Sequence, residues 1–240
     1  MFRRIFLLGL LLVFSACVGE VSAEGPVYVE GAREFYYLPP PAADGRVSVE
    51  RALMERRSRR DFRDMAISQE QLSQILWAAY GITLPMPDSP RFRGGFRTTP
   101  SAGATFPLEI YAIIGNVNGI APGIFRYISE EHKLERLAEG DFRSELSEAA
   151  WNQNWLRDAP ATIAHIAVFT RTTGVYGERG IRYVYIELGH SAQNIYLQAE
   201  ALGLGTVAVG AFNDNAVRHV LNLPEGEDPL YLMPIGYFYE

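Results

Sequence analysis

Four arginines crowd one serine at Arg56-Arg57-Ser58-Arg59-Arg60. The guanidinium's planar fork of donors suits two-toothed contacts to phosphate oxygens, and a neighbouring hydroxyl adds a short donor. A basic run at a helix end is equally what the macrodipole favours in solvent, so the cluster alone predicts either a phosphate site or a solvated helix terminus. Pro100-Ser101-Ala102-Gly103 stands just ahead of an apolar, β-prone stretch. A proline and small side chains leave backbone donors and acceptors open to a planar ligand; taken alone, the same residues make a tight turn. Ser101 lacks the G-x-S-x-G setting of a nucleophile elbow. Thr206-Val207-Ala208-Val209 reads as a buried strand ending in Gly210 and Ala211, where bare backbone can approach a flat ring.

Two other patterns are set aside. Glu187 and His190 have the i, i+3 spacing of di-metal carboxylate bundles, but only one such pair exists and the four histidines are scattered. A satisfied polar pair is expected there, and no metal centre. Gly203-Leu204-Gly205 ends a helix and opens a strand, the reverse of a dinucleotide fingerprint.

These residues need a frame, and Tyr176–Phe212 supplies it. Ile181, Leu188, Ile195 and Leu202 recur every seven residues, with Tyr185, Ala192 and Ala199 on the neighbouring stripe. That spacing predicts one long helix with a wide apolar face. Gly189, Ala192 and Ala199 thin the bulk so that another backbone can come close, and Gly203 stops the helix in the left-handed region. Upstream, Ser48 caps a helix carrying Val49, Ala52 and Leu53 into the arginine cluster. Ser68 and Gln71 form a capping box before Leu72, Ile75, Leu76 and Ala79, and Gly81 ends that helix. Residues 83–95, rich in proline and glycine, predict a surface loop or lid. Leu108–Ile114 is a strand, 123–137 a hairpin, 142–156 a helix, and 161–169 a central strand. A short helix carries Val217, Val220 and Leu221, and Leu230–Gly236 closes the chain.

The 240 residues are 48% hydrophobic and 21% charged, enough for one substantial α+β domain, taken as 48–240. A net charge of −6 gives no footprint for nucleic acid. Arg3 and Arg4 precede an apolar run from Ile5 to Phe14, too short to span a bilayer and typical of an export signal over 1–23. Two exits are readable. Phe14-Ser15-Ala16-Cys17 resembles the lipobox of bacterial lipoproteins and would put a lipid anchor on Cys17, the only cysteine. Val21-Ser22-Ala23 offers cleavage before Glu24. Arg3-Arg4-Ile5-Phe6-Leu7 also resembles the twin-arginine motif. Each route predicts a protein outside the cytoplasm, periplasmic or membrane-anchored, with residues 24–47 as an extended arm or tether.

Together these stretches resemble the FMN-dependent nitroreductases, over roughly Val47 to the C-terminus, and especially the branch with the SagB-type azoline dehydrogenases. The residues carrying the likeness are Arg56–Arg60, Pro100–Gly103, Trp151-x-Gln153 through Ala159-Pro160, and Arg182-Tyr183. Glu187-x-Gly189-His190 with Gln193-Asn194, Gly203–Thr206 and Gly210–Phe212 complete it. The resemblance implies an α+β fold, a mixed or antiparallel sheet flanked by helices, with the long helix at the interface of a homodimer. It implies one FMN at each of two interfacial sites. By position, Arg56, Arg57 and Ser58 meet the phosphate end and Arg60 the pyrimidine edge. Pro100, Ser101, Ala102 and Gly103 pack on the flavin bound mainly by the other subunit, and Gly210 and Ala211 face N5 and O4. The flavin performs the redox step; the protein binds and orients it.

Three departures qualify the likeness. The family's C-terminal Lys/Arg pair is replaced by Tyr237-Phe238-Tyr239-Glu240, so the arginine cluster or Arg182 carries that work. The Lys-Tyr pair of azoline dehydrogenases reads Val175-Tyr176, leaving Tyr176, with a hydroxyl near pKa 10, as a poor base. The export signal separates the chain from NAD(P)H, the usual electron donor. The expected activity is two-electron transfer through the flavin to or from a planar, electron-poor small molecule such as a nitroaromatic or quinone. The alternatives are peptide azoline oxidation and flavin binding without turnover in a lipoprotein.

Overall fold

A computed structural model describes residues 27–28 and 34–239; the predicted export signal and Cys17 lie outside the described residues. An eight-stranded sheet carries the domain. Its strands are β1 (Val27–Tyr28), β2 (Phe35–Tyr37), β5 (Leu108–Ile114), β6 (Gly123–Ile128), β7 (Lys133–Glu139), β8 (Ala161–Ala167), β9 (Gly205–Thr206) and β10 (Asp228–Gly236). The order is β1-β7-β6-β5-β8-β10-β9, with β2 also on β7, and every ladder is antiparallel.

Strand β8 lies between β5 and β10 and is buried along its whole length, as its nearly unbroken apolar run predicts. Ala161, Ile163 and Ala167 face one core, Ala164 and Ile166 the other. The first core is closed by α2 (Gln69–Tyr80) and α6 (Arg179–Ala201), and the second by α3 (Arg143–Ala149), α4 (Asn154–Asp158) and α7 (Asp214–Val220). The α+β fold, with an antiparallel sheet between helical layers, is the predicted one. On the face toward α6, His165 Nε2 lies 2.9 Å from Ser191 Oγ, and Ser191 donates to the Ala79 carbonyl at 2.8 Å. Burial pushes His165 down to about 3, so it is neutral.

The capping box forms: Ser68 Oγ accepts from Gln71 N while Gln71 Oε1 accepts from Ser68 N. Helix α1 (Val49–Glu55) starts from Ser48. Gly203 takes φ +69° just past α6. From Glu34 on, the predicted arm lies on the domain: β2 extends the sheet, and Ser73 Oγ donates to the Pro39 carbonyl.

Four readings of the sequence change. Residues 83–95 are no open loop: β3 (Ile82–Met86) and β4 (Gly94–Arg97) pair as a hairpin, Pro85 tolerated because a two-stranded ribbon has free edges. The helix expected over 142–156 breaks where Trp151 and Asn152 adopt φ of 56° and 60°, giving α3 and α4. The stretch 206–210 pairs as β9 only through Thr206, with one further bridge from Val209 to Leu232. Helix α5 (Phe169–Tyr176) precedes α6, and Ile181, Tyr185 and Ile186 on α6 are exposed rather than core.

Candidate active site

The arginine run leaves α1 and lies along the end of the sheet. Ser58 bridges Thr206 in parallel, and Arg59 N donates to the Thr206 carbonyl at 2.9 Å. Backbone pairing therefore fixes the cluster beside the glycine-ended segment 206–211. Tyr196, from the last turns of α6, ties the two together. Its hydroxyl lies 3.0 Å from Ser58 Oγ and accepts from Ala208 N at 2.8 Å. The Arg56 guanidinium sits 5.1 Å from the Tyr196 ring centre, and Arg60 sits 5.6 Å from that of Trp155. Gln153 Nε2 donates to the Ala211 carbonyl at 2.6 Å, holding the exposed Gly210-Ala211 corner.

Arg57 turns one nitrogen back to the carbonyls of Met54 and Arg56, the helix-end role its position allows. Among the described ion pairs, none joins a carboxylate to Arg56, Arg57 or Arg60. Uncompensated guanidiniums around a hydroxyl, next to bare backbone, make a cradle for an anion joined to a flat group. The residues present fit a flavin phosphate and ring on that ground.

A second constellation stands at the other end of α6. Pro100 to Gly103 lead into a single 3-10 turn, where Gly103 has φ +62° and a Cβ would meet the Tyr176 hydroxyl at 2.5 Å. Only glycine allows Tyr176 to lie so close. The Tyr176 ring meets Tyr183 edge-on at 5.0 Å, and Ser101 Oγ accepts from Phe106 N at 2.9 Å. Beneath the loop, the buried Tyr80 hydroxyl donates to Glu187. Burial raises Glu187 to about 7, against hydrogen bonds from Tyr80 and Ser101 that pull it down. Tyr80 is driven well above its ordinary value, first by burial and then by the Glu187 charge. The polar pair expected of Glu187 and His190 does not form: Glu187 turns inward to Tyr80 while His190 is exposed.

The structure thus brings Arg56, Ser58, Arg60, Gly210 and Ala211 to one end of the domain, and Pro100, Ser101, Ala102, Gly103 and Tyr176 to the other. At about 1.5 Å per residue, Tyr183 and Tyr196 are roughly 20 Å apart along α6. Tyr196 and Glu187 carry roles that the sequence did not reveal. Tyr196 falls among the helix's partly covered positions, and nothing local announces that its hydroxyl links two other segments. In the sequence Glu187 stands out by its spacing to His190 and by the family likeness, neither of which places it in the core. A carboxylate on an apolar face is the signal that could have marked it as a buried acid.

A basic cluster beside bare backbone suits a flavin mononucleotide, and likeness to known proteins points to the same class, a flavin-dependent oxidoreductase. The model of the nitroreductase family matches residues 53–237. MJ1384 of Methanocaldococcus jannaschii, named as a nitroreductase, is 45% identical over 190 residues, covering 79% of this chain and 91% of that protein. The trifolitoxin-processing protein TfxB of Rhizobium leguminosarum bv. trifolii is 31% identical over 133 residues, 53% of this chain and 35% of that one. The NADPH-flavin oxidoreductase of Vibrio harveyi is 28% identical over 112 residues, 43% and 47% of the two chains. A solved structure from Ralstonia eutropha JMP134, also named as a nitroreductase, superposes with a TM-score of 0.71 at 27% identity, over 89% of this chain and 94% of that one. The chain belongs to the nitroreductase family.

Proposed function

We propose that the protein is an exported, FMN-dependent oxidoreductase that exchanges two electrons with a planar, electron-poor small molecule such as a nitroaromatic or quinone. The observation that carries the reading is the unpaired arginine cluster stitched beside Gly210-Ala211. Arg56, Ser58 and the Tyr196 hydroxyl would hold the phosphate, with Arg57 beside them. Arg60, braced on Trp155, would reach the pyrimidine edge, while Gln153 keeps the Ala211 corner in place. Bound FMN would supply the hydride chemistry.

Following the family likeness, a second copy of the chain would bring its Pro100–Gly103 loop and Tyr176 over the flavin. Exposed Val49, Leu53 and Met54 on α1, with Ile181, Tyr185 and Ile186 on α6, supply apolar surface for that homodimer. A hydrophobic wall there also excludes water from the reacting face. Tyr176 is exposed and bears no base beside it, which suits a substrate whose protons come from solvent. Cys17 acylation or cleavage after Ala23 would fix the protein outside the cytoplasm, where an electron donor other than NAD(P)H would serve it.

Expressing residues 24–240 and recording the visible spectrum tests the reading. Yellow protein whose flavin is bleached by a reductant and reoxidised by a quinone is the expected result; colourless protein that takes up no FMN overturns it. Mass spectrometry of the mature N-terminus decides between the two export exits. A second reading, peptide azoline oxidation, draws on the likeness to the trifolitoxin-processing protein. It predicts oxidation of an azoline peptide by the loaded protein, against the missing lysine beside Tyr176.

A further inference from the structure

Strands β5 and β6 part company before their ladder is complete. Pairing runs from Ile114–Gly123 to Tyr111–Arg126 and stops there. Beyond that point, Leu108, Glu109 and Ile110 continue on β8, while Tyr127 and Ile128 continue on β7. The opening is a cleft of about 250 Å³ bordered by both strands, the β3–β4 hairpin and α5. Side chains rather than backbone pairing fill its walls.

Four of those side chains are arginines (Arg93, Arg97, Arg126 and Arg171), facing only two lining carboxylates, Glu109 and Glu130. Arg126 is matched by Glu135 at 2.6 Å and Arg97 by Glu130 at 3.0 Å. Arg93 and Arg171 are left to share. Both donate to one carbonyl, that of Phe106, at 3.0 and 3.1 Å. Both also turn to one carboxylate oxygen, Glu109 Oε1, at 3.6 and 2.5 Å. Two guanidiniums thus meet a single carboxylate in a partly buried place, where screening is weak. Burial and then the Arg171 charge push Arg93 below its ordinary value, the signature of cations held too close. Arg97, whose side chain is 4% exposed, has a buried Nε with no hydrogen-bond partner among the described residues. Glu227 stands outside the lining and accepts the Tyr111 hydroxyl at 2.8 Å.

We propose that this cleft is a second ligand site, separate from the flavin cradle, which takes a small oxyanion, either a carboxylate or a phosphate, between Arg93 and Arg171. The fork geometry of two converging guanidiniums matches a two-oxygen acceptor. At 250 Å³ the space is smaller than the roughly 300–1,000 Å³ of drug-sized ligand pockets, so nucleotides and flavins are too large. Both arginines hold the Phe106 carbonyl, and Phe106 follows the Pro100–Thr105 loop with φ 45°. An anion that draws them away would be felt in that loop.

Titration calorimetry of the full chain at constant ionic strength, with inorganic phosphate and with succinate as probes, tests the site. Saturable binding of at least one probe is expected, and the preferred one identifies the oxyanion. Arg171→Gln should weaken binding in the cleft at least tenfold; any part of the phosphate binding that is lost with Arg56→Gln instead belongs to the flavin cradle. Glu109→Gln removes the competing carboxylate and should tighten binding several-fold, which keeps the test open if Arg171→Gln does not fold. No saturable binding of either probe overturns the proposal. So does binding that is lost with Arg56 rather than Arg171, or that Glu109→Gln leaves unchanged or weakens. The site stands even if the flavin assignment fails, because its readout needs no flavin.

Discussion

The two ends of α6 solve opposite problems. At the Tyr196 end, arginines stand without acidic partners among the described residues and are held by backbone bridges and by aromatic rings beneath them. At the Glu187 end, a carboxyl is buried under tyrosines and loses much of its acidity to desolvation. One end keeps charge available, and the other suppresses it. The difference shows that a single chain offers a grip at one place and a cover at another, which in the proposed reading a second copy would bring together.

Breaking the pairing of copies should have the largest effect. Leu53→Glu with Ile186→Glu places charge on the exposed apolar faces of α1 and α6. The double variant should run as a monomer in light scattering and retain almost no flavin; a flavin-loaded monomer would refute the shared site. Arg56→Gln should follow: losing charge-assisted bonds of about 1.5–3 kcal/mol weakens FMN binding roughly 10- to 100-fold, as read by fluorescence titration. Tyr196→Phe leaves the Ala208 N–H and Ser58 without their shared hydroxyl. A loss of about 1–3 kcal/mol in urea stability is expected, with weaker flavin binding.

Glu187 sharpens the contrast from the other side. The unfolded chain releases this proton near 4.5, whereas the fold keeps it to about 7. Its contribution to stability is therefore complete at low pH and lost as pH rises through that window. His165 runs the other way: its depressed value makes stability rise between about 3 and 6.5. Comparing Glu187→Gln with the parent protein by urea unfolding from pH 4 to 8 isolates the first slope, which should vanish in the variant. Tyr176→Phe should have the smallest effect, less than about threefold on quinone reduction, because in the proposed reading the flavin and solvent carry the protons. A loss of a hundredfold or more would make Tyr176 a catalytic acid.

Local patterns reported much of this architecture. The Ser68–Gln71 capping box and the apolar run of β8 each depend on neighbours in sequence, and each forms as expected. The failures depend on distant partners. Ala149–Asn154 lacks a helix breaker, yet Gln153 is engaged by Ala211 on another segment and the helix parts there. Pro85 and the glycines near 94 read as loop until Leu84 and Phe96 are seen to pair. The exposure of Ile181 is a third case, because periodicity marks an apolar stripe without saying what covers it. Tyr196 and Glu187 acquire their roles only when Ser58 and Tyr80 are folded against them.

The parallel bridge from Ser58 to Thr206 has one more consequence. It joins the anion grip to the Gly210 corner through backbone alone, so the separation between them is a fixed property of the chain. The domain therefore carries a gauge. In the proposed reading, a molecule with the flat ring but no terminal anion, such as riboflavin, would touch only one jaw and be let go.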